Sequence, residues 1–122
     1  AGVGPDDIDV VQTYDDYPVI CMMQMEDLGF CRKGEGAEFV RSHDLRIEGD
    51  FPQNTSGGQL SCGQAGAGGS YVGLTEAVRQ VLGTAGDTQV KGANLALASG
   101  FGMMTYTRGL SSCAVILSGE GA

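Results

Sequence analysis

Hydrophobic and polar positions along the chain fall into a few distinct segments. Ile8–Tyr14 (IDVVQTY) is short and β-branched, the composition of a strand. From Pro18 an apolar stretch runs to Phe30, with Asp15-Asp16 just ahead of it. Acid at the cap and proline in the first turn predict a helix start. Gly29 predicts its end. This helix holds Met22, Met23 and Met25 and is apolar over much of its circumference, so it is predicted to be buried. A second helix is predicted over Glu35–Ser42. His43–Asn54 is polar, contains Gly49 and Pro52, and reads as an exposed excursion. Leu74, Ala77, Val78, Val81 and Leu82 then recur at helical spacing, with Gly83 as the C-terminal stop. Asn94–Ser99 and Ser111–Leu117 read as two buried strands, with Gly100-Phe101-Gly102 and the segment through Gly109 between them.

The order strand, helix, loop, helix, strand, strand predicts an α/β layered domain with a mixed sheet. Three strands are few for a free-standing sheet. Nothing ahead of Ile8 can pair with it, so the chain is expected to be a fragment or to pack on something else. At 122 residues it is one domain.

Composition sharpens this picture at one point. There are 21 glycines and only 3 prolines. Glycine is at roughly 7% in average proteins, and the excess here has no fixed period. A collagen-like chain is therefore excluded, and 42% hydrophobic residues argue against disorder. Seven of the glycines fall within Gly57–Gly73, where the backbone must bend sharply or approach a ligand closely.

Charge removes whole classes of partner. Fifteen acidic against 7 basic residues give a net charge of −8, and the basic residues form no run. This balance argues against nucleic acid as a partner, because that affinity rests on Lys and Arg meeting phosphates. It argues equally against an anionic membrane surface, and no apolar run is long enough to cross a bilayer. The four cysteines, at 21, 31, 62 and 113, form no C-x-x-C pair, and there is a single His. No metal site is expected. No signal peptide opens the chain, so the thiols are expected to stay reduced in a cytoplasm. The sequon Asn54-Thr55-Ser56 is then accidental.

Familiar catalytic motifs are absent. The glycines Gly63, Gly66, Gly68 and Gly69 precede a helix, but their spacing is not that of a dinucleotide fingerprint, and no Walker A sequence exists. They can still offer backbone N–H groups to an oxyanion or thioester oxygen. His43 lies among polar residues beside Asp44 and reads as a solvated loop residue; no G-x-S-x-G is present. Asp15 and Asp16 are explained as helix caps. Alternatively the strand end presents Tyr14 and Asp15 into a site, since strand-to-helix turns are where such folds place chemistry.

Four clusters at element junctions, Tyr14–Tyr17, Asn54–Gly58, Gly63–Gly69 and Ser99–Gly102, together carry a family resemblance. The run from Asp9 through Leu117 resembles the C-terminal half of the thiolase superfamily, on its lipid-transfer (sterol-carrier) branch. DVVQTYDDYPVICMMQMEDLGFCRKGEGAEFV resembles the part that carries the family's His-Asp-Cys-Phe or Asn-Glu-Ala-Phe block, which here reads Tyr14-Asp15-Asp16-Tyr17. NTSGGQLSCGQAGAGG resembles the Asn-x-x-Gly-Gly…Gly-His-Pro loop, GLTEAVRQVLG the helix after it, and LALASGFGMM the C-terminal Cys-x-Gly region.

The resemblance implies an α/β half-domain, a mixed sheet flanked by helices, that acts with an N-terminal half carrying the nucleophilic Cys. The implied chemistry is acyl transfer by Claisen or retro-Claisen reaction on CoA thioesters, with coenzyme A as part of the substrate and no further cofactor. Tyr14 stands where the family has the Asn or His that positions an oxyanion-hole water. Gln64 stands in place of the His of Gly-His-Pro, and Ala98 in place of an acid/base Cys, with Ser99 and Gly100 following. Gln64 can donate a hydrogen bond but cannot shuttle a proton at neutral pH. Tyr14, Asp15, Tyr106 and Cys62 are therefore the candidates for acid/base work. Asn54, Ser56, Gly57, Gly58, Ser99, Gly100, Phe101 and Gly102 are candidates for binding the substrate. Preorganised donors aimed at a developing oxyanion are each worth about 3–4 kcal/mol, and bare backbone N–H groups at Gly57, Gly58, Gly100 and Gly102 suit that task.

The same departures resemble the branch that includes steroid side-chain aldolases and benzoylsuccinyl-CoA thiolase. Its members associate with a small partner built from an OB fold and a zinc ribbon, and its aldolases use tyrosines for acid/base work. Two alternatives to acyl transfer follow: a retro-aldol lyase on a CoA thioester, and a non-catalytic acyl-CoA-binding, lipid-binding or scaffold module. Half of a two-half fold exposes the apolar face its counterpart covers, so self-association is expected.

Overall fold

The computed structural model describes residues 2–105 and 108–119. Among them the element order is β1 (Val10–Gln12), α1 (Pro18–Asp27), α2 (Gly36–Ser42), α3 (Gly58–Cys62), α4 (Tyr71–Val81), β2 (Leu95–Thr105) and β3 (Arg108–Ser118). Short 3-10 turns lie at Pro5–Asp7, Gly66–Ser70 and Gly86–Thr88.

The sheet has the order β1-β2-β3 and is mixed, as the order of elements along the chain predicts. β1 runs parallel to β2, pairing Val10 with Ala96 and Gln12 with Ala98. A parallel pair needs a long crossover, and this one contains all four helices. β2 and β3 form a long antiparallel hairpin, from Leu95 opposite Ser118 to Thr105 opposite Arg108. On its other side β1 gains an isolated parallel bridge from Gln53. The Val11 N–H donates to Pro52, and the Val11 carbonyl accepts from the Asn54 N–H. The short first strand thus has neighbours on both edges.

Alternation along β2 divides the two layers. Ala96 and Ala98 join Val10, Ala77 and Val90 in the core beneath α4. Small side chains here bring helix and sheet close together: a Cβ on Gly73 of α4 would lie 3.2 Å from that of Gln12. Ser99 points to the opposite face and donates to Gln24 of α1. Gly83, at φ +66°, ends α4 in the left-handed conformation open to glycine.

Four features differ from the pattern-based expectation. Gly100, Phe101 and Gly102 do not form a turn; they lie inside β2 opposite Cys113, Ser112 and Ser111. Continuous ladder pairing overrides the local glycine signal. The 43–54 segment is no free excursion. Phe51 packs edge-on against Phe30 and Phe39 at 5.0 and 4.8 Å, and Pro52 is buried beside β1. α1 buries Gln24 and Met25 but leaves Val19 and Met23 about half exposed. On α4 the stripe is met in part: Ala77 is buried and Leu74 and Val81 pack against the core, but Glu76 and Gln80 are buried with them, whereas Leu82 is 63% exposed.

Candidate functional site

The site begins where β1 ends. Tyr14 leaves the sheet without a strand partner, and Gln24 of α1 takes that role. Its Oε1 accepts from the Tyr14 N–H at 3.1 Å, and its Nε2 donates to the Tyr14 carbonyl at 2.7 Å. The Ser99 hydroxyl donates to the same Oε1 at 2.7 Å, tying this junction to β2. The Cys21 thiol also faces the Tyr14 carbonyl, at 3.7 Å. Burial pushes that thiol above its ordinary pKa, which keeps it protonated.

Asp15 is buried, and it does not cap the helix that follows it. The N-cap of α1 is Tyr17, with no side-chain bond. The Asp15 carboxylate turns instead to the start of α3 and accepts from the Gln59 N–H at 2.8 Å and the Leu60 N–H at 3.2 Å. Acid at a helix start is the sound principle, but the helix is one that lies 44 residues onward. Gly58, at φ +62°, permits the contact, since a Cβ there would run into the Asp15 carboxylate.

The Asn54–Gly58 loop is set from both ends. Asn54 adopts φ 47°, and its Oδ1 accepts from the Thr13 N–H at 2.8 Å. The Gly57 N–H closes the turn onto the Asn54 carbonyl at 2.7 Å. That donor is therefore engaged within the loop and is not open to an oxyanion, contrary to the expectation from glycine content alone.

Gln64, on the exposed glycine-rich segment, donates from Nε2 to the Tyr14 hydroxyl oxygen at 3.1 Å. Fifty residues apart in sequence, the two residues that the resemblance puts in one site are hydrogen-bonded. Because Tyr14 Oη accepts here, its own proton is free to be donated outward.

Other predicted residues sort into distinct places. Tyr14, Asp15, Asn54, Gly58 and Ser99 line one narrow cleft with about 10 Å³ of free volume, room for roughly one water. Ser99, Gly100 and Phe101 line an adjoining open hollow of about 330 Å³ with Gln24 and Leu28. Ser56 borders a separate hollow of about 310 Å³ beside Tyr71 and Arg79, and its hydroxyl oxygen is buried. Gly102 sits on β2 opposite Ser111. Tyr106 lies outside the described residues. Cys62 is exposed, and its thiol donates to the Ser56 carbonyl. Ala98 is in the core between β1 and β3, so no acid/base group could act from its side chain. His43 lies outside the Tyr14 cleft: it stacks on Phe39 at 4.2 Å and bonds Asp50 through Nδ1 at 2.7 Å. Among the described residues no cluster of His, Cys, Asp and Glu could hold a metal, and no helix is long and apolar enough to cross a membrane.

Two functional features escape a reading by hydrophobic pattern. Gln24 is the one, with a faint signal as a lone amide within an apolar run. The other is a buried polar network behind the loop. Glu76 is 1% exposed, and its Oε1 accepts from Thr55 Oγ1, Gln80 Nε2 and Thr88 Oγ1 at 2.8, 3.0 and 2.8 Å. Thr55 Oγ1 in turn accepts from Gln12 and Gln80. The signal is the i, i+4 pair Glu76 and Gln80 beside the apolar stripe.

A family model described as thiolase C-terminal domain-like matches residues 1–118. The chain is 38% identical over 105 residues to a steroid side-chain-cleaving aldolase of Thermomonospora curvata, covering 86% of this chain and 26% of that protein. It is 36% identical over 102 residues to an acetyl-CoA acetyltransferase of Methanothermobacter thermautotrophicus, covering 84% of this chain and 27% of that protein. The solved structure of an Ltp2-ChsH2(DUF35) aldolase superposes with a TM-score of 0.75 at 32% identity, covering 98% of this chain and 29% of that one. The chain thus spans about a quarter of the length of these curated relatives.

Proposed function

Since the chain belongs to the thiolase C-terminal domain-like family, we propose that it is the C-terminal half of a thiolase-type acyltransferase acting on CoA thioesters. It supplies groups for the oxyanion that forms when a thioester carbonyl is attacked or enolised. The observation that carries this reading is the Tyr14–Gln64 hydrogen bond beside the Asn54–Gly58 loop. Gln64 aligns the Tyr14 hydroxyl, and that hydroxyl donates to the thioester oxygen as negative charge develops on it. Ser99, Gly100 and Phe101 border the hollow beside it and are assigned to the acyl part of the substrate. Asp15 is assigned a structural role, because both its contacts are to backbone N–H groups of α3. Tyr106 stays a second candidate for proton transfer.

The nucleophile comes from an N-terminal half. The exposed Val78 of α4, Leu82 just past its end, and Val115 and Ile116 of β3 offer apolar surface for such a counterpart to cover. Coenzyme A enters as part of the substrate, with no separate cofactor. A cytoplasmic setting, a homo-oligomer and an OB-fold/zinc-ribbon partner complete the proposal.

A second reading, retro-aldol cleavage of a CoA thioester, is favoured by one observation. Ala98 supplies no thiol, while Tyr14 presents a free phenolic proton. The complete protein decides between them. Given a β-ketoacyl-CoA and free CoA, an acyltransferase releases two shorter thioesters. Given a β-hydroxyacyl-CoA, a lyase releases an aldehyde or ketone. Turnover of neither substrate class would leave an acyl-CoA-binding or scaffold role.

A further inference from the structure

Glu76 is a buried carboxylate that the reaction as proposed does not use. It lies on the inner face of α4, where an apolar side chain would be expected. Four donors surround it. Thr55, Gln80 and Thr88 meet Oε1, and Arg79 Nη1 meets Oε2 at 3.0 Å. Thr55 is the member that matters for the site. It sits inside the Asn54–Gly58 loop, and its hydroxyl is a three-way junction: it donates to Glu76 and accepts from Gln12 Nε2 at 3.0 Å and Gln80 Nε2 at 3.1 Å. Gln12 belongs to β1 and Gln80 to α4. The loop is thereby clamped to the strand that presents Tyr14 and to the helix behind it. A hydroxyl with all its bonding positions filled has one orientation, so the junction at Thr55 is fixed even though the Oε1 of Gln12 beside it has no partner.

We propose that Glu76 is a positioning residue: through the Thr55 hydroxyl it sets the Asn54–Gly58 loop against Tyr14. It touches no substrate. This rests on the reading of that loop as a wall of the thioester site. Thr88 provides an internal contrast, because it bonds the same Oε1 but belongs to the 3-10 turn Gly86–Thr88, away from the loop.

The test uses the complete protein and two readouts, steady-state kinetics per folded molecule and amide hydrogen exchange of Ser56–Gly58. Thr55→Val should lower kcat at least tenfold with KM within threefold, and should speed loop exchange at least tenfold. Thr55→Cys, which keeps a much weaker donor at the γ position and adds no buried methyl, makes the same comparison by a second route. Thr55→Ser and Glu76→Gln keep the hydroxyl and the accepting oxygen, and both should stay within threefold of the parent. Thr88→Val should lower the thermal midpoint while loop exchange and kcat hold. Unchanged loop exchange in both Thr55→Val and Thr55→Cys overturns the proposal, as does faster exchange with kcat unchanged. A Thr88→Val effect equal to that of Thr55→Val also overturns it, because the network would then serve stability alone. If the parent protein turns over no CoA thioester, the proposed function falls, and exchange still decides whether Glu76 sets the loop.

Discussion

The two sides of the Asn54–Gly58 loop are built on opposite principles. Behind it, toward α4, Glu76, Gln80 and Thr55 are buried and multiply bonded, and buried Gln12 joins them through one bond to Thr55. In front of it, Tyr14 and Gln64 meet in a single hydrogen bond at the surface. Removing a partner behind the loop strands buried polar groups, each at about 1–3 kcal/mol. In front, water takes the place of a missing partner at little cost. Stability and chemistry are therefore separable across a few ångströms, and substitutions on the two sides should fail in different ways.

The sharpest way to break this contrast is Tyr14→Phe. In the complete protein it should lower kcat by about 10²- to 10³-fold, the range for loss of an oxyanion donor, with the thermal midpoint almost unmoved. A large fall in the midpoint would show that the front is structural too. Gln64→Ala should come next, with kcat reduced about 10- to 1,000-fold and substrate binding kept. Unchanged kcat would remove Gln64 from the site. Asp15→Ala probes the hinge between the two sides. Two backbone donors of α3 are then left without a buried acceptor, so urea unfolding should show destabilisation on the order of 3 kcal/mol. Asp15→Asn, which keeps one accepting oxygen, should recover part of it. An Asp15→Ala protein of parental stability and no activity would make Asp15 catalytic after all.

The smallest effect is expected far from both sides. The Arg46 guanidinium holds the exposed Asp44 carboxyl down at about 2, below its ordinary 3.8. A carboxylate depressed in the folded state contributes stability above its unfolded pKa, and that stability disappears as pH falls through the folded value. Acid titration between about pH 4 and 2 should therefore differ slightly between the parent and Asp44→Asn. Equal curves would show the pair to be fully screened.

Much of the fold is legible in the apolar spacing. The strands around Val10–Gln12, Leu95–Ser99 and Ser111–Leu117 and the helix through Ala77 stand where the pattern puts them. What the pattern cannot supply is the direction in which an amphipathic helix turns. Leu74, Ala77 and Val81 of the predicted stripe do face the core, but Val78 and Leu82 are left outside it while Glu76 turns in, its carboxylate met by Thr55 and Thr88. Burial of a charge depends on donors distant in sequence, which no local window contains. The same limit applies to Asp15. Its affinity for a helix start is local chemistry, but which helix it serves is decided by tertiary packing. Gly100 and Gly102 show the converse, as turn formers held extended by a long ladder. The Tyr14–Gln64 pairing follows from the family resemblance and from no periodicity.

One consequence follows from how Gln24 holds position 14. Both of its bonds to this residue go to the main chain of Tyr14 and neither to the ring. The peptide is gripped as a neighbouring strand would grip it, whatever side chain it bears. Position 14 thus behaves as a socket: the bend, the strand end and the helix stay put while the tool mounted there is exchanged. A scaffold of this kind can trade a phenol for an amide or an imidazole in a single substitution, changing its repertoire of reactions without refolding around the change.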